Sequence, residues 1–245
     1  MPAIETRQDG SILIVTLNRP EALNAWNTEL IHGLNSAWQR LAEDPQLHVG
    51  LLHGAGRMFT AGLDLKEVPR DGILGIPNMT VSCAKPILVA VEGAAIGYGS
   101  VTAMFADMVF AGESAYFLYP EARMGVFQGL MGGFPGRVQY KAGLQWLLTA
   151  DKLGAARARE IGLVNEVVPD GAAFDRALEV ARQIAANAPL VVQAIKQIAL
   201  GTVTKGPMEA NLAHNRLIET VMSSDDAAEG LEAARQRRPA KFRGT

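Results

Sequence analysis

The feature that most constrains the fold is an apolar strand that runs through a glycine turn into an uncharged helix. The strand lies in "KPILVAVEG", residues 85–93, and the turn and helix lie in "GAAIGYGSVTAMFA", residues 93–106. A strand without polar alternation is buried on both faces, as in a parallel sheet covered by helices. The uncharged stretch is shorter than the roughly 20 residues that span a bilayer. We therefore predict a layered α/β core around this junction.

Strand and helix patterns alternate in the first two thirds of the chain, and helical patterns dominate after about residue 143. Short strands are predicted in "IETRQDGSILIVTLNRP", around a QDG turn, and in "HVGLLHGAG", "DMVFAG" and "AYFLYP". A helix is predicted in "NTELIHGLNSAWQRLAED", whose apolar residues recur at helical spacing: Leu30, Ile31, Leu34, Ala37, Trp38 and Leu41. We divide the chain into an α/β core, residues 1–188, and a C-terminal helical region, residues 189–245.

Composition favours a globular protein of a reducing compartment. Apolar residues make up 49% of the 245 residues, and the net charge is −2. This balance argues against nucleic-acid binding by the whole surface. The single cysteine, Cys83, is expected to be a bystander thiol. The N-terminus lacks a signal-peptide pattern, so we expect a cytoplasmic protein without membrane partners. No metal site is expected, because metal-ligand spacing is absent among His32, His48, His53 and His214.

Another glycine turn, earlier in the chain, has the same pattern. In "LLHGAGRMFTAGLDLKE" a strand is followed by a glycine-rich loop and by residues 63–66, which we expect to open a short helix. Helix starts leave N–H groups without partners. The phosphate-loop, dinucleotide-binding and serine-hydrolase motifs each lack a required residue at these turns. Two interpretations remain: the turns serve packing alone, or they present two backbone N–H donors to one oxyanion.

Four segments resemble, in order, the signatures of the crotonase, or enoyl-CoA hydratase/isomerase, superfamily: "LNRPEALNAWN", "GAGRMFTAGLDLKE", "PILVAVEGAAIGYGSVTAMFADMVFAG" and "YFLYPEARMGVFQGLMG". With the C-terminal helices the resemblance covers nearly the whole chain. It implies a crotonase-like spiral core of repeated ββα units and a helical C-terminal oligomerisation region. It also implies an acyl-CoA thioester substrate, no separate cofactor, and a homotrimer or dimer of trimers.

The resemblance assigns catalytic roles to main-chain and side-chain groups. The backbone N–H groups of Leu63 and Tyr98 would form an oxyanion hole, although Tyr98 stands where the family usually has glycine. Of two family glutamates, Glu121 is kept and Val101 replaces the other. One carboxylate can remove and return a proton, whereas hydration is easier with two groups. We therefore favour Δ3,Δ2-enoyl-CoA isomerisation over hydration, with a helix N-terminal acid as the alternative role of Glu121.

The resemblance also implies a path for the carrier. The basic tail "RQRRPAKFR" contains Arg237, which we expect near the CoA phosphates unless the tail is simply solvated. The stretch between Lys66 and Lys85 is short for the family and is expected to be a loop with little helix. The full predicted binding set is Ala22, Ala61, Leu63, Asp64, Leu65, Gly97, Gly99, Val101 and Arg237.

Two other functions stay open. The bulk of Tyr98 motivates carbon–carbon bond hydrolysis of a β-diketone, which crotonase relatives also perform. The missing glutamate motivates a catalytically weak acyl-CoA-binding paralogue. Other polar groups near the turns are expected to be structural: Glu92, Asp107, Glu113 and Tyr119.

Overall fold

An N-terminal hairpin leads into the larger of two sheets. The computed structural model describes residues 2–69, 71–126 and 128–244, and the side chains of 213–219 lie outside the description. The predicted hairpin is present, with β1 (Ile4–Asp9) antiparallel to β2 (Ile12–Leu17). The sheet continues with parallel strands β3 (Val49–Gly54), β4 (Ile87–Val91), β6 (Met108–Gly112) and β9 (Glu166–Val168), in the order β1-β2-β3-β4-β6-β9.

A second, smaller sheet is interleaved with the first. It contains β5 (Ala94–Ile96), β7 (Tyr116–Leu118) and β8 (Leu153–Gly154), in the order β5-β7-β8. Two successive units repeat the same plan, β4-β5-α2 and β6-β7-α3, where α2 is Tyr98–Phe105 and α3 is Glu121–Met124. In each unit the first strand joins the large sheet and the second joins the small one. The predicted ββα repeats are therefore present.

Helix α1 (Thr28–Glu43) confirms the predicted apolar stripe. The Asn27 side chain caps it by accepting a hydrogen bond of 3.0 Å from the Leu30 amide. Burial of a large apolar side chain contributes about 1.5–3 kcal/mol, so packing of this face is the main source of the helix's stability. All six predicted stripe residues are buried: Leu30, Ile31, Leu34, Ala37, Trp38 and Leu41.

The helical pattern of the last third is confirmed. One of its helices, α6 (Ala173–Ala185), packs on the face of the large sheet away from α1, through Ala173, Ala177 and Ala181. Both faces of β4 are therefore covered, which explains its uninterrupted apolar run. The remaining helices are α4 (Tyr140–Thr149), α5 (Ala155–Glu160), α7 (Pro189–Thr202), α8 (Pro207–Met222) and α9 (Asp225–Gln236).

Helix α7 is anchored to the core by a buried lysine. The Lys196 ammonium donates hydrogen bonds to Asp107 at 2.7 Å and to Asn78 and the Lys85 carbonyl at 2.8 Å. The other face of α7 exposes Leu190, Val191, Ile195 and Ile198.

The division of the chain between residues 188 and 189 stays a prediction, although α7 does begin at Pro189. In the described part of the chain no single helix has the length and apolarity to span a membrane; α6 and α7 meet that test only together, across a 110° bend.

The prediction of a short helix at residues 63–66 is wrong. Leu63 instead forms an isolated parallel bridge with Trp26, and residues 65 and 66 form a turn followed by a bend at residue 67. The Asp64 carboxylate accepts a hydrogen bond of 3.0 Å from the Lys66 amide, a local side-chain contact that competes with helix formation. The expected loop with little helix between Lys66 and Lys85 is confirmed, with a 3-10 helix at Gly72–Gly75.

Candidate active site

The two glycine loops lie side by side. Thr60 and Ala95 form a parallel bridge, and hydrogen bonds join the Thr60 amide to the Ala94 carbonyl at 2.9 Å and the Ile96 amide to the Thr60 carbonyl at 3.0 Å. This pairing fixes the register of one loop against the other. It carries Leu63 and Tyr98, each three residues beyond the bridge, to the wall of one cavity.

The cavity has a volume of about 150 Å³ and mostly apolar walls. It brings together the predicted oxyanion residues Leu63 and Tyr98 with Val101 and Glu121. Its described lining residues are Ala61, Gly62, Leu63, Leu65, Ile96, Gly97, Tyr98, Val101, Pro120, Glu121, Met124, Val126, Gln128 and Leu130. A concave apolar site with a few polar groups is typical of small-molecule binding.

The Leu63 and Tyr98 amides are not used by the described part of the fold. Neither donates a hydrogen bond to another described residue, whereas the adjacent Asp64 and Gly97 amides donate to the Trp26 and Leu118 carbonyls at 3.0 and 2.8 Å. Tyr98 is also the first residue of α2, where the helix leaves its N–H groups without internal acceptors. Both amides are thus available to an acceptor in the cavity.

Glu121 is held half-buried at the start of α3. Burial raises the pKa of its carboxyl, and the nearby Tyr119 hydroxyl and Gln128 amide partly oppose that effect. Neither Glu121 Oε2 nor the Tyr119 hydroxyl makes a well-aligned hydrogen bond with a described residue. A carboxylate with a raised pKa, and with an oxygen that lacks a well-aligned partner among the described residues, is suited to accept and return a proton.

The Tyr98 side chain is fixed by two neighbours. Its ring stacks on Trp26 with centroids 5.1 Å apart, and its hydroxyl donates a hydrogen bond of 2.6 Å to Gln128 Oε1. Burial first, and the charge of Glu121 second, raise the pKa of the Tyr98 hydroxyl. The ring therefore stays neutral and immobile beside the cavity.

The second family carboxylate has no replacement on the described cavity wall. Val101 is 1% exposed and lines the cavity as an apolar surface. The acids that flank the loop are used elsewhere: Glu92 accepts hydrogen bonds from the Gly171 and Ala173 amides, and Asp107 pairs with Lys196. Glu113 is exposed. Glu121 is the single carboxylate among the described lining residues.

Four predicted binding residues lie away from the cavity wall. The Asp64 carboxylate pairs with Arg19 at 3.1 Å; its Lys66 amide contact first, and Arg19 next, hold its pKa below the usual range. Gly99 packs against Thr60, Ala22 ends a 3-10 helix, Pro20–Ala22, and Arg237 is the exposed cap residue of α9. The structure thus gives Asp64 and Gly99 positions in the supporting framework, and the CoA contacts of all four stay predictions.

Sequence reasoning missed Gln128 and Trp26, which hold Tyr98. Their positions inside the fourth and first signatures were the available signals, but nothing in a single sequence pairs either with residue 98.

Of the four histidines, the side chain of His214 lies outside the described residues. No cluster of three or more possible metal ligands occurs in the part of the chain that the structure describes.

Known proteins resemble this chain along its whole length. A family model described as enoyl-CoA hydratase/isomerase matches residues 7–245. The enoyl-CoA hydratase EchA19 of Mycobacterium tuberculosis is 38% identical, covering 95% of this chain and 93% of that protein. The (E)-benzylidenesuccinyl-CoA hydratase of Thauera aromatica is 35% identical, covering 95% and 96%. The crystal structure of enoyl-CoA hydratase EchA1 from Mycobacterium marinum aligns with a TM-score of 0.77 at 36% identity, covering 100% of both chains.

Proposed function

Because the chain belongs to the enoyl-CoA hydratase/isomerase, or crotonase, family, we propose that it moves the double bond of a Δ3-enoyl-CoA to the Δ2 position, with Glu121 as proton carrier. Its crotonase-like α/β fold and its class, an acyl-CoA enzyme, follow from the family. The observation that carries the choice of reaction is that Val101 and Glu121 line the same cavity. One carboxylate there faces an apolar wall, which suits proton transfer better than water activation.

The proposed reaction returns every proton it removes. The Glu121 carboxylate takes a proton from C2 of the 3-enoyl thioester, and the electron pair of that C–H bond forms a dienolate. The negative charge rests on the thioester oxygen. The protonated Glu121 then delivers the proton to C4, the C2–C3 double bond forms, and the carboxylate is regenerated.

The Leu63 and Tyr98 amides would stabilise the dienolate. Two fixed N–H donors aimed at the thioester oxygen act where the charge develops and need no reorganisation during the reaction. Loss of one such donor costs about 2.7–4 kcal/mol of transition-state stabilisation. The support for this role is that both amides border the cavity and neither is used by the described fold.

The binding mode and assembly belong to the same proposal. CoA would pass along Ala22, Ala61 and Leu65 toward a basic residue such as Arg237, as part of the substrate and without a separate cofactor. The protein would act in the cytoplasm as a trimer or dimer of trimers. The exposed apolar side chains of α7 support an assembly, because large apolar patches are rarely left in water.

Hydration of a 2-enoyl-CoA is the second candidate, favoured by the relatives whose printed names are hydratases. Glu121 would then take a proton from water as the water oxygen adds to C3, the C2–C3 π electrons would form an enolate, and Glu121 would give the proton to C2. The Val101 wall disfavours this reaction, because it offers a water molecule no second polar partner.

Replacing Glu121 with glutamine tests both reactions. We expect Glu121→Gln to lower kcat for 3-enoyl-CoA isomerisation by about 10²–10⁴-fold, the usual contribution of a general acid–base. Thioester binding, measured by calorimetry, should persist because the shape of the side chain is kept. Glu113→Gln, at an exposed acid, is the control.

The same experiment separates isomerisation from hydration and from binding alone. Full activity in Glu121→Gln would contradict the role of Glu121. Faster hydration than isomerisation by the wild type would favour hydration. Binding without turnover of either substrate would identify an acyl-CoA-binding protein.

The raised pKa of Glu121 gives a second test with a defined sign. The carboxylate is the active form, so kcat/KM should fall as the pH drops through a pKa above the ordinary glutamate value of about 4.3. Because the folded-state pKa lies above the unfolded one, the neutral acid favours folding below the unfolded pKa, and this contribution is lost as the pH rises through the folded pKa. Glu121→Gln should therefore gain free energy of unfolding relative to wild type between acid and neutral pH. Urea unfolding at several pH values measures this gain, and a constant difference would contradict the raised pKa.

A further inference from the structure

A second cavity lies on the other side of Glu121. Its volume is about 500 Å³, and its walls come from α3, α4 and the 3-10 helix Leu130–Gly136. Glu121 and Val126 line both cavities, so the two spaces meet at the proposed proton carrier. Apart from Glu121 and Tyr119, the described wall of this second space is apolar, and we call it the acyl cavity.

The Tyr98 ring forms another part of the first cavity's wall. This ring reaches the backbone of the 3-10 helix Gly72–Gly75, where a Cβ placed on Gly72 would overlap the ring's Cζ and hydroxyl oxygen. The stacking on Trp26 and the hydrogen bond to Gln128 keep the ring there. A substrate chain that starts at the Leu63 and Tyr98 amides therefore cannot extend through the position of this ring.

We propose that the acyl chain of the substrate passes Glu121 and Val126 into the acyl cavity, and that this route selects uncharged, apolar acyl groups longer than crotonyl. The inference rests on the proposed function, because it assumes a thioester carbonyl at the two amides. Each buried methylene should raise affinity by roughly fourfold, the equivalent of about 0.8 kcal/mol.

Charge supports the choice of an uncharged chain. The described walls of both cavities contain no lysine, arginine or histidine. A terminal carboxylate on the acyl group would enter an apolar space without a cation to pair with, beside the acidic Glu121. A carboxylate that loses hydration against these apolar walls without a cation to pair with is unfavourable. Dicarboxylic acyl groups should therefore be rejected.

The test narrows the acyl cavity at α4. Leu147 is half-buried on its wall, and Gln145 is exposed on the same helix and off the wall. Saturated butanoyl-CoA and decanoyl-CoA are the probes, because they bind without turnover. Calorimetry should show that Leu147→Trp weakens decanoyl-CoA binding by about tenfold or more and changes butanoyl-CoA binding by less than about twofold, as expected from loss of buried methylenes. Gln145→Trp should change neither.

Two outcomes would overturn the proposal. One is an equal loss for both thioesters, or no loss for decanoyl-CoA, in a folded Leu147→Trp protein. The other is wild-type binding of adipyl-CoA as tight as that of hexanoyl-CoA. If Leu147→Trp does not fold, Leu144→Trp on the same wall makes the same test, with the same expected and contradicting results.

Charge selection can also be reversed on purpose. Leu147→Arg should improve adipyl-CoA binding relative to hexanoyl-CoA, and an unchanged ratio would count against the route. These binding results are independent of the chemistry: absent turnover of every enoyl-CoA would remove the proposed function, while chain-length and charge selection would still report the acyl cavity.

Discussion

The two glycine loops of the cavity share a sequence pattern but present their amides by different means. Beyond Gly97 the chain enters α2, so the Tyr98 amide is aimed by a helix start. Beyond Gly62 residues 63–69 form no helix, and Leu63 is held by its bridge to Trp26. A free backbone donor can thus be positioned by local backbone geometry or by long-range contacts. The glycine pattern alone does not distinguish the two.

We call the loop before Leu63 the first loop and the loop before Tyr98 the second loop, and the two should fail in different ways. The second depends on the backbone of Gly97, with φ 53° and ψ −110°, a combination open essentially to glycine. The first depends on an ion pair between Arg19 and Asp64, whose side chains are 19% and 13% exposed. Arg19 also donates a hydrogen bond of 2.6 Å to the Ala25 carbonyl, next to Trp26.

The largest effect is expected from Gly97→Ala. Backbone strain should cost about 1–3 kcal/mol of unfolding free energy, and rotation of the Tyr98 amide should lower kcat by about 10²–10³-fold. Chemical denaturation and turnover of 3-enoyl-CoA measure the two effects. Gly10→Ala is the matched control, because Gly10 also has a positive φ of 59° but lies in the β1–β2 turn with open space around it. Equal kcat losses in the two variants would show that the second loop has no special role.

A smaller effect is expected from Asp64→Asn, which removes the ion pair between Arg19 and Asp64 that holds the first loop. Loss of charged hydrogen bonds should cost about 1.5–3 kcal/mol of unfolding free energy. Because the pKa of Asp64 is lowered in the fold, its stabilising effect is present above the unfolded value of about 3.9 and is lost as the pH falls further. The difference between variant and wild type should shrink in that acid range. Asp71→Asn is the control, since Asp71 is exposed and lies 3.9 Å from an equally exposed His32. If the difference in unfolding free energy between variant and wild type did not change with pH, the stabilising role of the Arg19–Asp64 ion pair would be contradicted.

The smallest effect is expected from Asn27→Ala, which removes the cap of α1 beside Trp26. The variant should lose about 1 kcal/mol of stability. It should also raise KM slightly, because Trp26, which forms the bridge with Leu63, lies directly before the capping residue. Ser224→Ala, the cap of α9, should lose a similar amount without a change in KM. An identical KM in both variants would mean that the first loop does not depend on the α1 start.

The elements that were predicted well are those with a strong local pattern. The α1 stripe repeats at helical spacing, and the apolar run of β4 can be satisfied only between two layers, so both were readable from sequence. The helix expected at Leu63 was wrong because a tertiary partner, Trp26, competes for the same backbone. The family signatures pointed to Glu121, Val101, Leu63 and Tyr98, and the structure places all four on one cavity wall. Their catalytic roles stay proposals.

The positions of Asp64, Gln128 and the acyl cavity could not be predicted. Asp64 pairs with a residue 45 positions away, and Gln128 meets a hydroxyl 30 positions away. The acyl cavity is the space left between three separate helical segments. None of these leaves a periodic signal in a single chain.

The sequence by itself determined which segments are strands and helices and which family motifs are present, because these depend on apolar periodicity and residue identity along the chain. The tertiary structure alone decided which amides remain free, which acids are consumed by ion pairs and helix starts, and where apolar space opens beside Glu121. These properties depend on distances between segments far apart in sequence, and on burial, which changes the pKa of a carboxyl without changing its neighbours along the chain.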